Sequence, residues 1–134
     1  MKYNKLLFSL ITILILTCNT EAAHNQFKVQ FVIPVGNELT DQVKSYVTRE
    51  LRGLHDVELI GKDPDLTAYH ISIYPISLKL SNGITTGVAI SYVFEKDGLI
   101  EHVVLSGPPE QLKTLCENII ARFDTNWLEP KRHK

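Results

Sequence analysis

Cysteine is scarce in this chain, and its scarcity limits the class of protein. The 134 residues contain two cysteines, Cys18 and Cys116, and Cys18 lies in an N-terminal segment that we expect to be removed. The one remaining cysteine excludes an intrachain disulfide. The sequence also lacks any Asn-x-Ser/Thr acceptor for N-glycosylation. An exported chain with neither feature is more typical of a bacterial periplasmic protein than of a eukaryotic extracellular one.

The chain also lacks an excess of charge of either sign. Fourteen Lys and Arg face 15 Asp and Glu, for a formal net charge of −1. Nucleic-acid binding usually needs a strongly basic stripe, so we expect no nucleic-acid partner. The proportions of 44% hydrophobic and 22% charged residues are those of a globular protein, and the length allows one domain.

The common motifs of catalysis and cofactor binding are missing. The sequence has no Gly-rich phosphate loop, Cys-x-x-Cys, His-Glu-x-x-His or Gly-x-Ser-x-Gly pattern. It therefore predicts no catalytic residue, no cofactor and no metal ligand.

What is present begins with an export signal. Two lysines in Met1–Lys5 precede an uncharged run, Leu6–Thr17, and small residues follow at Thr20–Ala23. This order predicts a signal peptide over residues 1–23, cleaved after Ala22 or Ala23. The run is shorter than the roughly 20 residues that a membrane span needs. An uncleaved membrane anchor is the alternative.

Cys18 leaves a second alternative open. The stretch Leu14–Cys18 resembles a bacterial lipoprotein cleavage box, but Thr17 stands where such boxes have Gly, Ala or Ser. Lipidation at Cys18 is thus the less favoured interpretation. We expect membrane contact only if Cys18 is lipidated or the signal is uncleaved.

Residues 24–134 are predicted to form one α+β domain, folded over about 27–128. Apolar residues alternate in Phe27–Ile33, as in a half-buried strand, and recur at helical spacing over Leu39–Leu54. The order β-α-β-β-β-β-α predicts a two-layer sandwich, in which both helices cover one face of a mixed sheet of about five strands.

Two prolines predict local irregularity. In the hairpin over residues 69–94, the apolar phase changes by one residue at Pro75, which predicts a bulge there. Pro130 is expected to end the last helix. The apolar stripe of that helix is Leu112, Leu115, Cys116, Ile119, Ile120, Phe123 and Trp127, which predicts a buried, unreactive Cys116.

A few polar residues are weak candidates for chemistry. His70 and His102 would be neighbours if their strands pair, and Ser72 and Ser91 would join them if all four share a sheet face. Two imidazoles without a third ligand make no metal site. The loop Asp63–Asp65 lacks the further ligands of a calcium site, and the basic tail Lys131–Lys134 is short for a lipid-binding segment.

The sequence resembles a family of small bacterial envelope domains. The strand FKVQFVIP (27–34), the helix after it, the strand VELIG (57–61) and the segment AYHISIYPI (68–76) carry the resemblance. It is to the N-terminal domain of the Tol-system translocation protein and to the related domain of curli-secretion and penicillin-binding-protein-activator lipoproteins. These families often begin the third strand with Ala-Asp-Tyr, whereas this chain has Ala68-Tyr69. No catalytic residue defines them, so none carries over, and the resemblance implies a binding or assembly role.

The function expected from these features is that of a non-enzymatic, exported binding or assembly module of the bacterial cell envelope, whose partner is another envelope protein. The hairpin tip is the predicted partner-binding segment, namely Ser81, Asn82, Gly83, Ile84, Thr85 and Thr86. The alternatives are a small secreted inhibitor or immunity protein and a small hydrolase that uses His70, His102, Ser72 or Ser91.

Overall fold

The computed structural model describes residues 26–61, 63 and 65–134. The elements are β1 (Phe27–Val32), α1 (Thr40–Gly53), β2 (Val57–Leu59), β3 (Tyr69–Lys79), β4 (Thr85–Lys96), β5 (Leu99–Gly107) and α2 (Leu112–Phe123). A 3-10 turn (Pro109–Gln111) precedes α2, and a π-helical turn (Asp124–Leu128) and a last helical turn (Glu129–Arg132) follow it. The predicted signal peptide, with Cys18, Ala22 and Ala23, lies outside the described residues.

The five strands form one mixed sheet in the order β2-β1-β3-β4-β5. Strand β1 runs parallel to both β2 and β3, and the β3-β4 and β4-β5 pairs are antiparallel. The crossover through α1 makes β1 and β2 parallel, as the strand-helix-strand order predicts. The predicted α+β fold with a five-stranded mixed sheet is confirmed.

The core lies between the two helices and one face of the sheet. Strands β3 and β4 place every second side chain in it, and each helix adds one apolar stripe. Fully buried members of the core are Val43, Val47 and Leu51 of α1, Ile71 and Ile73 of β3, Ile90, Tyr92 and Phe94 of β4, and Ile119 and Phe123 of α2. Because both stripes meet the same face, no helix of the described residues lies over the other face of the sheet.

Strand β3 runs through Pro75 without a bulge. The register with β4 is continuous from His70 opposite Glu95 to Leu78 opposite Gly87, and Pro75 lies opposite Ile90. The predicted bulge at Pro75 is therefore wrong, and the irregularity lies at Leu78/Lys79. The apolar phase changes because β3 switches the face on which it carries apolar side chains, so that Ile76 and Leu78 point away from the core.

The last helix also continues past its proline. Pro130 has no N–H to donate to the carbonyl of Asn126, and the chain passes this point through the π-helical turn, in which the Glu129 N–H bonds the carbonyl of Asp124. The prediction that Pro130 ends the helix is wrong. The wider turn places Leu128 in the core, fully buried, and leaves Trp127 half-buried.

Charged side chains fasten this helical end to the sheet. Glu101 of β5 accepts hydrogen bonds from Arg122 Nε and from Trp127 Nε1, the latter at 2.9 Å. Arg132 donates to both Asp56, beside β2, and Asp124. Partial burial opposes ionisation of Glu101, but the bonds from Trp127 and Arg122 outweigh it, so the pKa of this carboxyl lies below its usual value.

We expect Glu101→Gln to lower the free energy of unfolding at neutral pH by about 1 kcal/mol, because the charge-assisted bonds are lost. A lowered folded-state pKa stabilises the fold above the unfolded value, and this contribution disappears as the pH falls through the folded value. The difference between wild type and variant should therefore shrink as the pH falls below the ordinary value of 4.5.

Urea denaturation at a series of pH values measures this difference. Glu110→Gln is the matched control, since Glu110 is exposed in the 3-10 turn, and it should leave stability unchanged. A Glu101→Gln deficit that stays constant from neutral pH to pH values well below the ordinary one would contradict the assigned role of the charge.

Candidate functional site: the open face of the sheet

The sheet surface that faces away from the helices is the candidate site, and we call it the open face. It consists of alternate side chains of β1, β3, β4 and β5, which the register arranges in rows. In one row Tyr74 lies beside Ser91 and Val104, and in the next Ile76 lies beside Ala89 and Ser106.

Much of the open face is apolar and exposed. Its exposed large side chains are Val32 (55%), Tyr74 (45%), Ile76 (51%), Leu78 (44%), Ile100 (67%) and Val104 (59%). Single exposed apolar residues are ordinary. Tyr74, Ile76 and Leu78, however, occupy successive outward positions of β3 and form a continuous apolar strip, and Ser91 of β4 lies between this strip and Val104 of β5. Apolar strips of this kind mark interaction surfaces.

Sequence reasoning missed this surface, although a signal for it was present. The phase change after Pro75, which suggests a bulge, marks apolar side chains on the outer face instead. In β5, Ile100 and Val104 alternate with Val103 and Leu105, so both faces of the strand carry apolar residues. Such a pattern fits a strand that is covered on both faces, and here the described residues cover one.

The hairpin tip adjoins the open face and has a defined conformation. The Leu80 N–H donates to the Ile84 carbonyl at 2.9 Å, and the Gly83 N–H donates to the Leu80 carbonyl at 2.9 Å. The side chain of Asn82 accepts from the Ile84 N–H at 3.1 Å, and Gly83 has a φ of 84°, which suits glycine.

Exposed apolar side chains flank the turn at the hairpin tip. Leu80 is 53% exposed and Ile84 is 58% exposed, and Ser81 and Asn82 between them are also exposed. Thr85 and Thr86 begin β4, and the Thr86 hydroxyl bonds the Leu78 carbonyl. Partner binding by residues 81–86 stays a prediction.

The four polar candidates share the open face, but the structure brings only two of them together. Ser91 Oγ lies 2.8 Å from His102 Nε2. His70 lies on β3 and His102 on β5, with β4 between them. The register also offsets the two residues by two positions along the strands, so their backbone positions are roughly 12 Å apart. The expectation that His70 and His102 are neighbours is wrong, because their strands do not pair.

The Ser91–His102 pair lacks the surroundings of a nucleophilic site. A serine needs a base that a third group orients, together with donors for the developing negative charge. Within the described part of the chain, no carboxylate hydrogen-bonds His102, and the pair stands on a flat sheet surface. A depression in the surface lies instead along α1, between Asp41 and Arg52. This geometry gives the hydrolase hypothesis no support.

The Asp65 carboxylate of the acidic loop is hydrogen-bonded to other residues of the protein. Asp65 accepts from the backbone N–H and the hydroxyl of Thr67, at 2.8 and 2.6 Å, and from Lys28 at 3.2 Å. The Thr67 bonds and then Lys28 lower the pKa of Asp65 to about 2. Both carboxylate oxygens of Asp65 are therefore engaged in hydrogen bonds that fix the conformation of the loop. Across residues 26–61, 63 and 65–134, no group of three His, Cys, Asp or Glu could bind a metal ion.

Cys116 lies in the core, as its position in the apolar stripe predicts. It is fully buried, and burial, followed by the nearby charge of Glu117, raises the pKa of the thiol to about 12. A thiol with this pKa is protonated at neutral pH and is a poor nucleophile.

The basic tail is partly used within the fold. Arg132 pairs with Asp56 and Asp124, while Lys131, His133 and Lys134 are exposed. Among the helices of the described residues, none is long and apolar enough to cross a membrane.

Comparison with known proteins adds structural likeness but no family. No family model and no curated protein matches the sequence. The N-terminal domain of Thermus thermophilus Protein Y is 15% identical, with a TM-score of 0.44, over 82% of this chain and 99% of that chain. The PelC dodecamer from Paraburkholderia phytofirmans is 14% identical, with a TM-score of 0.43, over 77% of this chain and 86% of that one. The resemblance is one of topology, and none of these structures identifies a function.

We predict that the Cys116 thiol is protected from a bulky thiol reagent in the folded protein and reacts only when the structure opens. Cys116→Ala should lower the free energy of unfolding by about 1 kcal/mol, because it leaves a small cavity. Cys116→Asp should destabilise far more, because it buries an unpaired charge. Labelling rates with and without denaturant measure the first effect. Rapid labelling of the native protein would contradict the burial of this face of α2.

Proposed function

We propose that the protein is a non-enzymatic, exported binding or assembly module of the bacterial cell envelope, and that the open face is its docking surface. The observation that carries the proposal is the group of exposed apolar side chains on that face. The layout of residues 1–23 supports export, and the resemblance in topology to envelope domains agrees with the setting.

The open face extends over three long strands. Strands β3, β4 and β5 have 11, 12 and 9 residues, so their common length is about 30 Å and their combined width about 14 Å. The projected area of these three strands is on the order of 400 Å², and apolar side chains share it with serine, histidine and Glu95.

The composition of the face suits a protein partner. Tyr74 combines a large apolar ring with a hydroxyl, as residues at the centre of protein interfaces often do. Ser72, Ser91 and Ser106 supply hydroxyl groups between the apolar side chains and add no charge. The tip, residues 81–86, continues this surface beyond Leu78. An inhibitor or immunity protein would use the same kind of surface, so the identity of the captured partner separates that alternative from an assembly role.

Export has a direct test. We expect the chain recovered from the envelope fraction to begin at Ala23 or His24, because cleavage follows Ala22 or Ala23. Intact-mass spectrometry measures the N-terminus. An acylated Cys18 at the N-terminus would establish the lipoprotein alternative, and an intact Met1 in the membrane fraction would establish the uncleaved anchor.

Docking through the open face is tested by a photocrosslinking side chain placed at Ile76 in producing cells. We expect a discrete adduct with one envelope protein, because Ile76 is 51% exposed within the apolar strip of β3 on the open face. Lys113, which is exposed on α2 on the opposite side of the domain, is the matched control position and should give no such adduct. Equal adducts from both positions, or none from Ile76 in folded protein, would refute the proposal.

A further inference from the structure

Strand β5 ends the sheet, and no strand of the described residues pairs with its outer edge. It bonds to β4 over its whole length, from Leu99 opposite Lys96 to Gly107 opposite Val88. The other end of the sheet is β2, which has three residues. Of the two outer strands, β5 is therefore the longer, with nine residues.

The turn that precedes β5 determines which residues face outward. Asp97 and Gly98 have φ values of 53° and 79°, the left-handed pair of a two-residue hairpin turn, so Lys96 and Leu99 form the hydrogen-bonded pair that closes it. Hydrogen-bonded pairs then recur at every second residue. The residues whose N–H and C=O point to the outer edge are therefore Ile100, His102, Val104 and Ser106.

No described residue bonds to these outward groups. The hydrogen bonds outside the regular elements involve turns and caps elsewhere, and the side-chain bond of His102 goes to Ser91, not to the edge. A strand edge in this state is a template for another strand.

The free edge of β3 carries residues that hinder pairing with another strand, whereas the edge of β5 has fewer of them. Beyond Ser72, β3 extends past its pairing with β1. There Pro75 removes a donor, and its carbonyl accepts from the Asn37 side chain. Lys79 pairs with Glu38 in the same region. Strand β5 has neither proline nor lysine, and its register with β4 shows no bulge. Its one acidic side chain, Glu101, lies on the helix side of the sheet and bonds Arg122 and Trp127. Proline and lysine, two of the usual obstacles to edge pairing, are thus present on β3 and missing from β5.

We propose that two copies of the chain associate through antiparallel pairing of their β5 strands, centred on Val103. In this register Ile100 pairs with Ser106 of the second copy, and His102 pairs with Val104. All these residues direct their backbone groups outward, so each pair forms hydrogen bonds. A twofold axis at Val103 makes the edge self-complementary, as a symmetric dimer requires.

The charges of β5 agree with a second copy as the occupant. Glu101 is the one acidic residue of the strand, which has no lysine or arginine. The register places Glu101 opposite Leu105 of the second copy, so the two carboxylates do not face each other. Like charges directly opposite would be destabilising. The dimer joins two sheets into one and leaves both open faces available, so it is independent of the proposed docking function.

Analytical ultracentrifugation of the purified protein over a concentration series tests the proposal. We expect a concentration-dependent dimer. Val104→Pro removes an outward N–H and should give a monomer whose Cys116 stays protected. Val103→Pro is the matched control, because its N–H bonds β4, and it should lower the unfolding midpoint.

A pair of double variants tests the register without proline. Ile100→Lys with Ser106→Lys places like charges opposite each other across the dimer axis, and it should weaken association at least tenfold. Ile100→Lys with Ser106→Glu places opposite charges there and should restore association.

Three results would overturn the proposal. They are a monomer at every concentration, a dimer that Val104→Pro leaves intact, and equal association of the two double variants. Tyr74→Lys separates the two proposals, since it should abolish crosslinking from position 76 while the β5 dimer persists. A dimer that Tyr74→Lys abolishes and Val104→Pro preserves would show that copies pair through their faces instead.

Discussion

The packing of α2 on strands β3 and β4 is the contact on which the rest of the structure depends. Phe123 meets Phe94 with ring centroids 5.1 Å apart and Tyr69 at 5.8 Å, and Trp127 lies 6.2 Å from Phe94. Large aromatic side chains contribute the most apolar area per residue to a core. Without this cluster, the central hairpin of the sheet would have no layer against it, and a hairpin alone is marginally stable.

The same arrangement creates the open face. Both helices place their apolar stripes on one side of the sheet, and among residues 26–61, 63 and 65–134 no element covers the other side. Strands β3 and β5 nevertheless carry apolar side chains on that side. The uncovered apolar surface is therefore a direct consequence of a two-layer fold whose sheet is apolar on both faces. It stands apart from the core, so its side chains are free to serve binding without a cost to the fold.

Polar groups in this protein mostly hold elements together. Asp65 fixes the loop before β3, Gln30 donates to the Gly61 carbonyl at 2.6 Å, and Glu101 and Arg132 fasten the C-terminal helical end. Groups used in this way have their hydrogen bonds satisfied within the fold. They are consequently poor candidates for chemistry, and the open face remains as the surface for function because of its exposed apolar side chains.

The sequence by itself determined the element order, the two apolar helix stripes and the burial of Cys116, because these depend on local periodicity along one element. Only the tertiary structure decided the rest. Pro75 stays within a continuous ladder with β4 because the N–H that it lacks belongs to the other edge of β3, and Pro130 lies in a helical end that a π-helical turn precedes. The distance between His70 and His102 depended on which strands pair. That Ile76, Ile100 and Val104 form one exposed surface depended on strand order and on which face the helices cover, and neither can be read from the periodicity of any single strand.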